Sequence, residues 1–169
     1  VSSAARIWTS FHESLFTATS AACVTGLVVE DTGSYWSIFG QSVILLLIQI
    51  GGLGVITVAA AFALLSGRRI SLKQRSTMQE ATAAPQMGGI VRLTGFILRI
   101  TAVFELVGAV LLLPVFCADY GLRGIWYALF HSISAFCNAG FDLLGTEKAK
   151  FVSLTRYAGN PFLTTVIAV

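Results

Sequence analysis

Charge is scarce in this sequence. Asp, Glu, Lys and Arg together make up 11 % of its 169 residues, where a soluble domain carries about a quarter. So little polar material cannot coat a water-facing surface, and an ordinary soluble globule is excluded. The 11 basic and 8 acidic residues form no basic stripe interleaved with aromatics, so nucleic acid finds no binding surface. Cysteine is rare too. Cys23, Cys117 and Cys137 show neither a CxxC pair nor Cys/His ligand spacing, and they read as small apolar side chains. An HExxH pair, a glycine-rich phosphate loop, paired carboxylates and a Ser/His/Asp spacing on one face are all missing, so the chain does not read as an enzyme.

What is present is apolar: 56 % hydrophobic residues and a mean hydropathy of +0.81. Val43 to Leu65, "VILLLIQIGGLGVITVAAAFALL", is a run of 23 residues without a charge. As a helix it reaches roughly 35 Å, enough for a hydrocarbon core of about 30 Å. A second span is predicted over 90–116. It carries Arg92 and Arg99 on one face near its start, where long side chains reach the interface, then Glu105 and, near its end, Pro114. A third span starts at Pro161, a residue suited to a first helical turn. Residues 66–89 hold Arg68, Arg69, Lys73 and Arg75 against one acid, Glu80. The positive-inside rule puts that linker in the cytoplasm and residues 27–42 and 117–160 outside. The chain opens on Val1 and stops inside an apolar run, and it is expected to be a piece of a longer polypeptide.

One word is written twice. "SAACVTGL", Ser20 to Leu27, returns as "SAFCNAGF", Ser134 to Phe141, and six of the thirteen positions from 15 to 27 repeat 114 places on. Each copy follows a short apolar piece: "SFHESLFTAT" after a Ser10–Glu13 capping box, and "GIWYALFHSI". Some 13 helical residues reach roughly 20 Å, too little to cross. Each copy starts outside and precedes a new span, so each must enter and return as a re-entrant hairpin. Irregular backbone survives at membrane depth only inside protein or beside water. A row of carbonyl oxygens there can replace the hydration shell of a monovalent cation such as K⁺. Gly26 and Gly140 supply backbone freedom, and the half-helices aim their negative ends at the membrane centre. Two re-entrant loops used only for packing are the plainer alternative. A secondary transporter with re-entrant hairpins for another solute is the functional rival, but it needs helix N-termini at the site.

The words "SLFTATSAACVTGL", "GRRISLKQRSTMQEA", "GGIVRLTGFILRIT" and "ALFHSISAFCNAGFDL" resemble the potassium-translocating membrane subunits of the Ktr/Trk/HKT superfamily, of the bacterial KtrB type. The resemblance implies an all-α membrane protein of four helix–pore loop–helix repeats around one pore, with re-entrant half-helices and extended selectivity-filter strands. This chain would cover about one and a half repeats. Residues 1–42 would be the first pore helix, filter and outer loop, and 43–65 the helix closing that repeat. The basic linker 66–89 and the first helix of the second repeat, 90–116, would follow. Then would come the second pore helix, filter and outer loop, 117–160, and the start of a closing helix, 161–169. The implied ion-binding carbonyls are those of Val24, Thr25, Gly26 and Leu27 and of Asn138, Ala139, Gly140 and Phe141, with K⁺ held by carbonyls alone. The implied function is K⁺ uptake across a bacterial cell membrane, driven by membrane potential, with Na⁺ as a candidate co-ion and no organic cofactor. The implied partners are membrane lipid, a second copy of the full-length subunit, and a cytoplasmic RCK-type nucleotide-binding regulatory subunit. Alone, the piece would not enclose a pore.

Single residues carry lesser expectations. Gly51, Gly52 and Gly54 read as close packing or as a hinge beneath the filter. Glu105, inside a span, is a functional candidate, with pairing to an arginine or a neutral, hydrogen-bonded state as the alternatives. His12 and His131, on the half-helices, read as packed or hydrogen-bonded before pH-sensing. Asp142 could draw cations to the outer mouth or be a solvated loop charge.

Overall fold

The computed structural model describes residues 8–54 and 90–168, the latter with side chains from residue 95 onward. The linker expected over 66–89, residues 55–65 of the first expected span and the Arg92 side chain lie outside the described residues. Among the described residues, six α-helices follow in chain order: α1 (Phe11–Ala22), α2 (Thr32–Tyr35), α3 (Ile38–Leu53), α4 (Ile90–Tyr120), α5 (Arg123–Phe136) and α6 (Pro161–Ala168). A 3₁₀ turn, Ser153–Tyr157, precedes α6. Among the described residues there is no β-strand, only an isolated bridge between Thr146 and Ala149. The chain is all-α.

Local chemistry explains where these helices start and stop. Ser10 caps α1: its Oγ accepts from the Glu13 N–H, and the Glu13 carboxylate accepts from the Ser10 N–H, both at 3.3 Å. Asp31 caps α2 by accepting from the Ser34 N–H. At α6, Asn160 Oδ1 accepts from Phe162 and Leu163 while Pro161 occupies the first turn. α3 begins five residues before the uncharged run, because Gln41 is sheltered. Its amide donates to the Trp36 carbonyl at 3.0 Å and accepts from the Trp126 indole at 2.8 Å. α4 continues through Pro114 to Tyr120 and ends at Gly121, whose φ is +59°. Its stretch Gly95–Tyr120, 26 residues, is long and apolar enough to cross a membrane.

The chain forms two compact units, one of Val1–Gly52 with Glu105–Val169 and one of Leu53–Phe104. The described part of the second is Leu53, Gly54 and the first half of α4. The first unit has two apolar cores. One gathers Ala21 of α1, Ile44, Leu45 and Ile48 of α3 and Phe130 of α5 around Ala139, Phe141 and Leu143. The other joins Leu112 and Phe116 of α4 to Ala128, Leu144, Tyr157 and Leu163. Both cores therefore hold residues of the irregular segment after α5.

Candidate functional site

The two copies of the repeated word have the same backbone. α1 hands over at Cys23, whose N–H donates to the Thr19 carbonyl; Val24 donates to Ala21 and Thr25 to Ser20. After α5, Cys137 donates to Ile133, Asn138 to Ala135 and Ala139 to Ser134, each bond displaced by the same 114 places. Positive φ then falls on alternate residues: Val24 at 56° and Gly26 at 70°, Asn138 at 54° and Gly140 at 72°. Alternating left-handed with ordinary φ takes each segment out of both helix and strand geometry. Glycine and asparagine accept that conformation readily, whereas β-branched Val24 is strained in it.

The two segments meet at their glycines. A methyl placed on Gly26 would stand 2.7 Å from the Ala139 carbonyl oxygen and 3.3 Å from the Gly140 Cα. One on Gly140 would stand 3.4 Å from the Gly26 Cα. The helix ends converge as well. A side chain on Gly51 would strike the Ala22 carbonyl, and one on Gly52 would strike Cys137, with its Cβ at 2.7 Å. The C-termini of α1 and α5 thus press on adjacent glycines of α3, which brings two negative helix ends to one place. Gly54, at φ +79°, ends α3 with open space around it.

Hydrogen bonds hold each segment from behind. In the first copy, Ser20 Oγ and Thr25 Oγ1 are 2.8 Å apart. In the second, Ser134 Oγ donates to the Phe141 carbonyl at 2.7 Å. The matched serines were legible as repeated letters, but their partners were not. Leu27 and Thr25 are exposed, as are Asn138 and Gly140, whereas Ala139 and Phe141 are buried. The second segment therefore points its side chains at 139 and 141 into the core.

Asp31, 2 % exposed, ties the loops that follow the two repeated segments together. Its carboxylate accepts from the Ser34 N–H and hydroxyl and, 120 residues downstream, from the Phe151 N–H at 2.9 Å. Gly145 has no side chain because the Asp31 carboxylate occupies that space, and Gly33 has none because Leu143 does. Asp142 is half-buried and accepts from the Leu144 N–H at 3.0 Å. Burial raises its pKa above the ordinary carboxylate range; the Asp31 charge adds to this and the Leu144 bond opposes it. Glu105 accepts a hydrogen bond from Gln49 of α3 at 2.7 Å, and Ser132 of α5 donates to the Glu105 carbonyl at 2.6 Å. His12 is exposed on α1, and His131 is buried in α5. Cys23 is exposed, and Cys117 and Cys137 are half-buried free thiols.

Low charge and all-helical described residues, one helix among them of bilayer length, point to an all-α membrane protein. Comparison with known proteins then gives the family. Residues 4–169 match the TrkH family, described as a cation transport protein, and the chain belongs to it. It is 44 % identical over 138 residues to the potassium/sodium uptake protein NtpJ of Enterococcus hirae, covering 81 % of this chain and 31 % of that protein. It is 42 % identical over 159 residues to the Ktr system potassium uptake protein B of Bacillus subtilis, covering 94 % and 34 %. Its identity to the protein of the same name from Vibrio alginolyticus is 41 % over 145 residues, covering 85 % and 32 %. The chain spans about a third of the length of these curated relatives.

Proposed function

We propose that the segments 24–27 and 138–141 are two strands of a cation-selective filter in a potassium uptake protein of the bacterial cell membrane. The observation that carries this reading is the backbone. Two helix C-termini converge on one glycine pair, and each is followed by alternate left-handed residues with a glycine at the second. Carbonyls on one side of such a segment replace ion hydration without any charged side chain. The negative helix ends favour a cation and disfavour an anion. The differing side chains, Val-Thr-Gly-Leu against Asn-Ala-Gly-Phe, agree with coordination by backbone. Ser134 fixes the direction of the Phe141 carbonyl, and Asp142 stands at the outer end of the second strand.

In this reading the chain supplies two re-entrant pore loops, and the rest of the parent polypeptide closes the pore. The domain boundaries, the membrane sidedness and the cytoplasmic place of residues 66–89 belong to the same proposal. A hinge beneath the filter is assigned to Gly54, because Gly51 and Gly52 are held in close contact. The membrane potential supplies about 2.3 kcal/mol per charge per 100 mV, enough to accumulate K⁺. Na⁺ enters as a second transported or coupled ion, in keeping with the relative named for both ions. Relatives named as parts of a Ktr system support a regulatory partner, here an RCK-type nucleotide-binding ring against the basic linker, and a homodimer of the full subunit in lipid.

The test is flux in a potassium-uptake-deficient bacterium that carries the full-length parent. Gly26→Asp and Gly140→Asp are each expected to abolish selective K⁺ uptake while the protein still reaches the membrane. Wild-type uptake and K⁺/Na⁺ preference in both variants would remove the filter assignment.

A further inference from the structure

The second segment is tied to its own helix by a ring to which the transport reading gives no task. His131 lies in α5 at 1 % exposure. Its Nδ1 is 2.7 Å from the carbonyl of Tyr127, one turn back. A carbonyl only accepts, so Nδ1 carries the proton. In that tautomer Nε2 is a bare acceptor, and the Leu143 N–H donates to it at 3.4 Å. Phe116 of α4 stacks on the ring with centroids 4.9 Å apart and planes 26° apart, which fixes the orientation of the imidazole. Leu143 is itself fully buried, two residues beyond Phe141. The matching position in the first copy is Thr17, so only the second copy has this tether.

We propose that His131 is a positioning residue for the second carbonyl segment: its neutral ring accepts from Leu143 and so sets the outer end of residues 138–141. The inference rests on the filter reading above. Ser134 grips the Phe141 carbonyl from the same helix, one turn further on. The two bonds together hold the strand at both a carbonyl and an amide. Loss of the imidazole acceptor leaves a buried N–H unpaired and lets that end of the strand shift.

The experiment uses the full-length parent in a potassium-uptake-deficient bacterium, with K⁺ and Na⁺ as probes. His131→Phe keeps a planar ring for Phe116 but has no acceptor. Its apparent KM for K⁺ is expected to rise by about threefold to tenfold, the range for losing one buried hydrogen bond. K⁺/Na⁺ preference is expected to fall by a similar factor, with little change in maximal rate or membrane abundance. His131→Gln places an amide oxygen where Nε2 stands and is expected to restore KM; His131→Asn, too short to reach Leu143, is not. A His131→Phe protein equal to wild type in KM and preference overturns the inference. Where that variant fails to accumulate, equal behaviour of the Gln and Asn variants overturns it. Gly140→Asp in the same cells separates the two claims. Unchanged preference there removes the filter reading and this inference with it. Altered preference there beside an unaltered His131→Phe removes the inference alone.

Discussion

The two copies of the repeated word share a backbone and differ in what covers it. Both leave a helix through the same three hydrogen bonds and adopt left-handed φ at the same alternate positions. Yet Ala139, Phe141 and Leu143 are buried while their counterparts Thr25, Leu27 and Val29 are exposed. The second loop is packed within this chain by α3, α4 and α6; the outer face of the first is open. The difference teaches that the turn-out from the helix is a local property, written in the helix end and the glycine. The tethering of each strand is a tertiary property, supplied by whichever side chains stand behind it. Val24 makes the point sharply. A β-branched residue holds the conformation that Asn138 holds comfortably, so the local pattern persists against side-chain preference.

The largest expected effect breaks the equivalence of the glycines. Both sit at positive φ, so alanine adds about 1–2 kcal/mol of strain at either. At Gly26 the methyl also strikes the Ala139 carbonyl, while at Gly140 it meets ordinary contact. Gly26→Ala is therefore expected to lose K⁺ uptake almost completely, and Gly140→Ala to retain a measurable fraction, in flux assays on the full parent.

Next comes the tie between the loops. Asp31→Ala strands three donors, of which the Phe151 and Ser34 N–H groups lie in half-buried contacts. A loss of about 2–4 kcal/mol is expected, from about 1–3 for each unpaired buried group. The thermal unfolding midpoint of the detergent-solubilised parent checks it. A midpoint like that of wild type would show that the two loops do not depend on each other.

A smaller contrast lies between the serines. Ser134→Ala frees the Phe141 carbonyl, whereas Ser20→Ala removes a bond between two hydroxyls and leaves the Thr25 backbone bond in place. Ser134→Ala is expected to weaken K⁺/Na⁺ preference by about threefold to tenfold, and Ser20→Ala by less than about threefold. Competitive uptake with the two ions ranks them.

The smallest effect concerns pH. Burial raises the pKa of Asp142 above the ordinary carboxylate range. Its contribution to stability is thus fully present below the unfolded pKa and is lost as pH rises through the folded one. Its charge runs the other way: the attraction for cations is present above the raised pKa and fades as external pH falls through it. Mild external acidification is expected to slow K⁺ uptake slightly, and Asp142→Asn to remove that dependence. Initial rates against external pH decide it.

Much of the helical plan was open to reading in advance. The Ser10–Glu13 pair marked the start of α1, Pro161 that of α6, and the echo of Ser20 and Gly26 in Ser134 and Gly140 located both irregular segments. The boundaries were less legible where a polar residue sits inside. Hydropathy passes over Gln41, which the structure shelters between Trp36 and Trp126, and it ends the second span at Phe116, where the helix runs on to Tyr120. The contacts of Asp31 with Phe151 and of His131 with Leu143 left no trace in spacing.

By itself, the sequence determined the solvent, the helix ends and the two glycine-bearing departures from helix. Those follow from composition, capping chemistry and φ preference, all of which act within a few residues. Only the tertiary structure decided that Gly26 lies against Ala139, that Gly51 and Gly52 receive both helix ends, and which side chain holds each strand. Such contacts join residues far apart in the chain, and the distance between two groups in space is not encoded in the letters of either one.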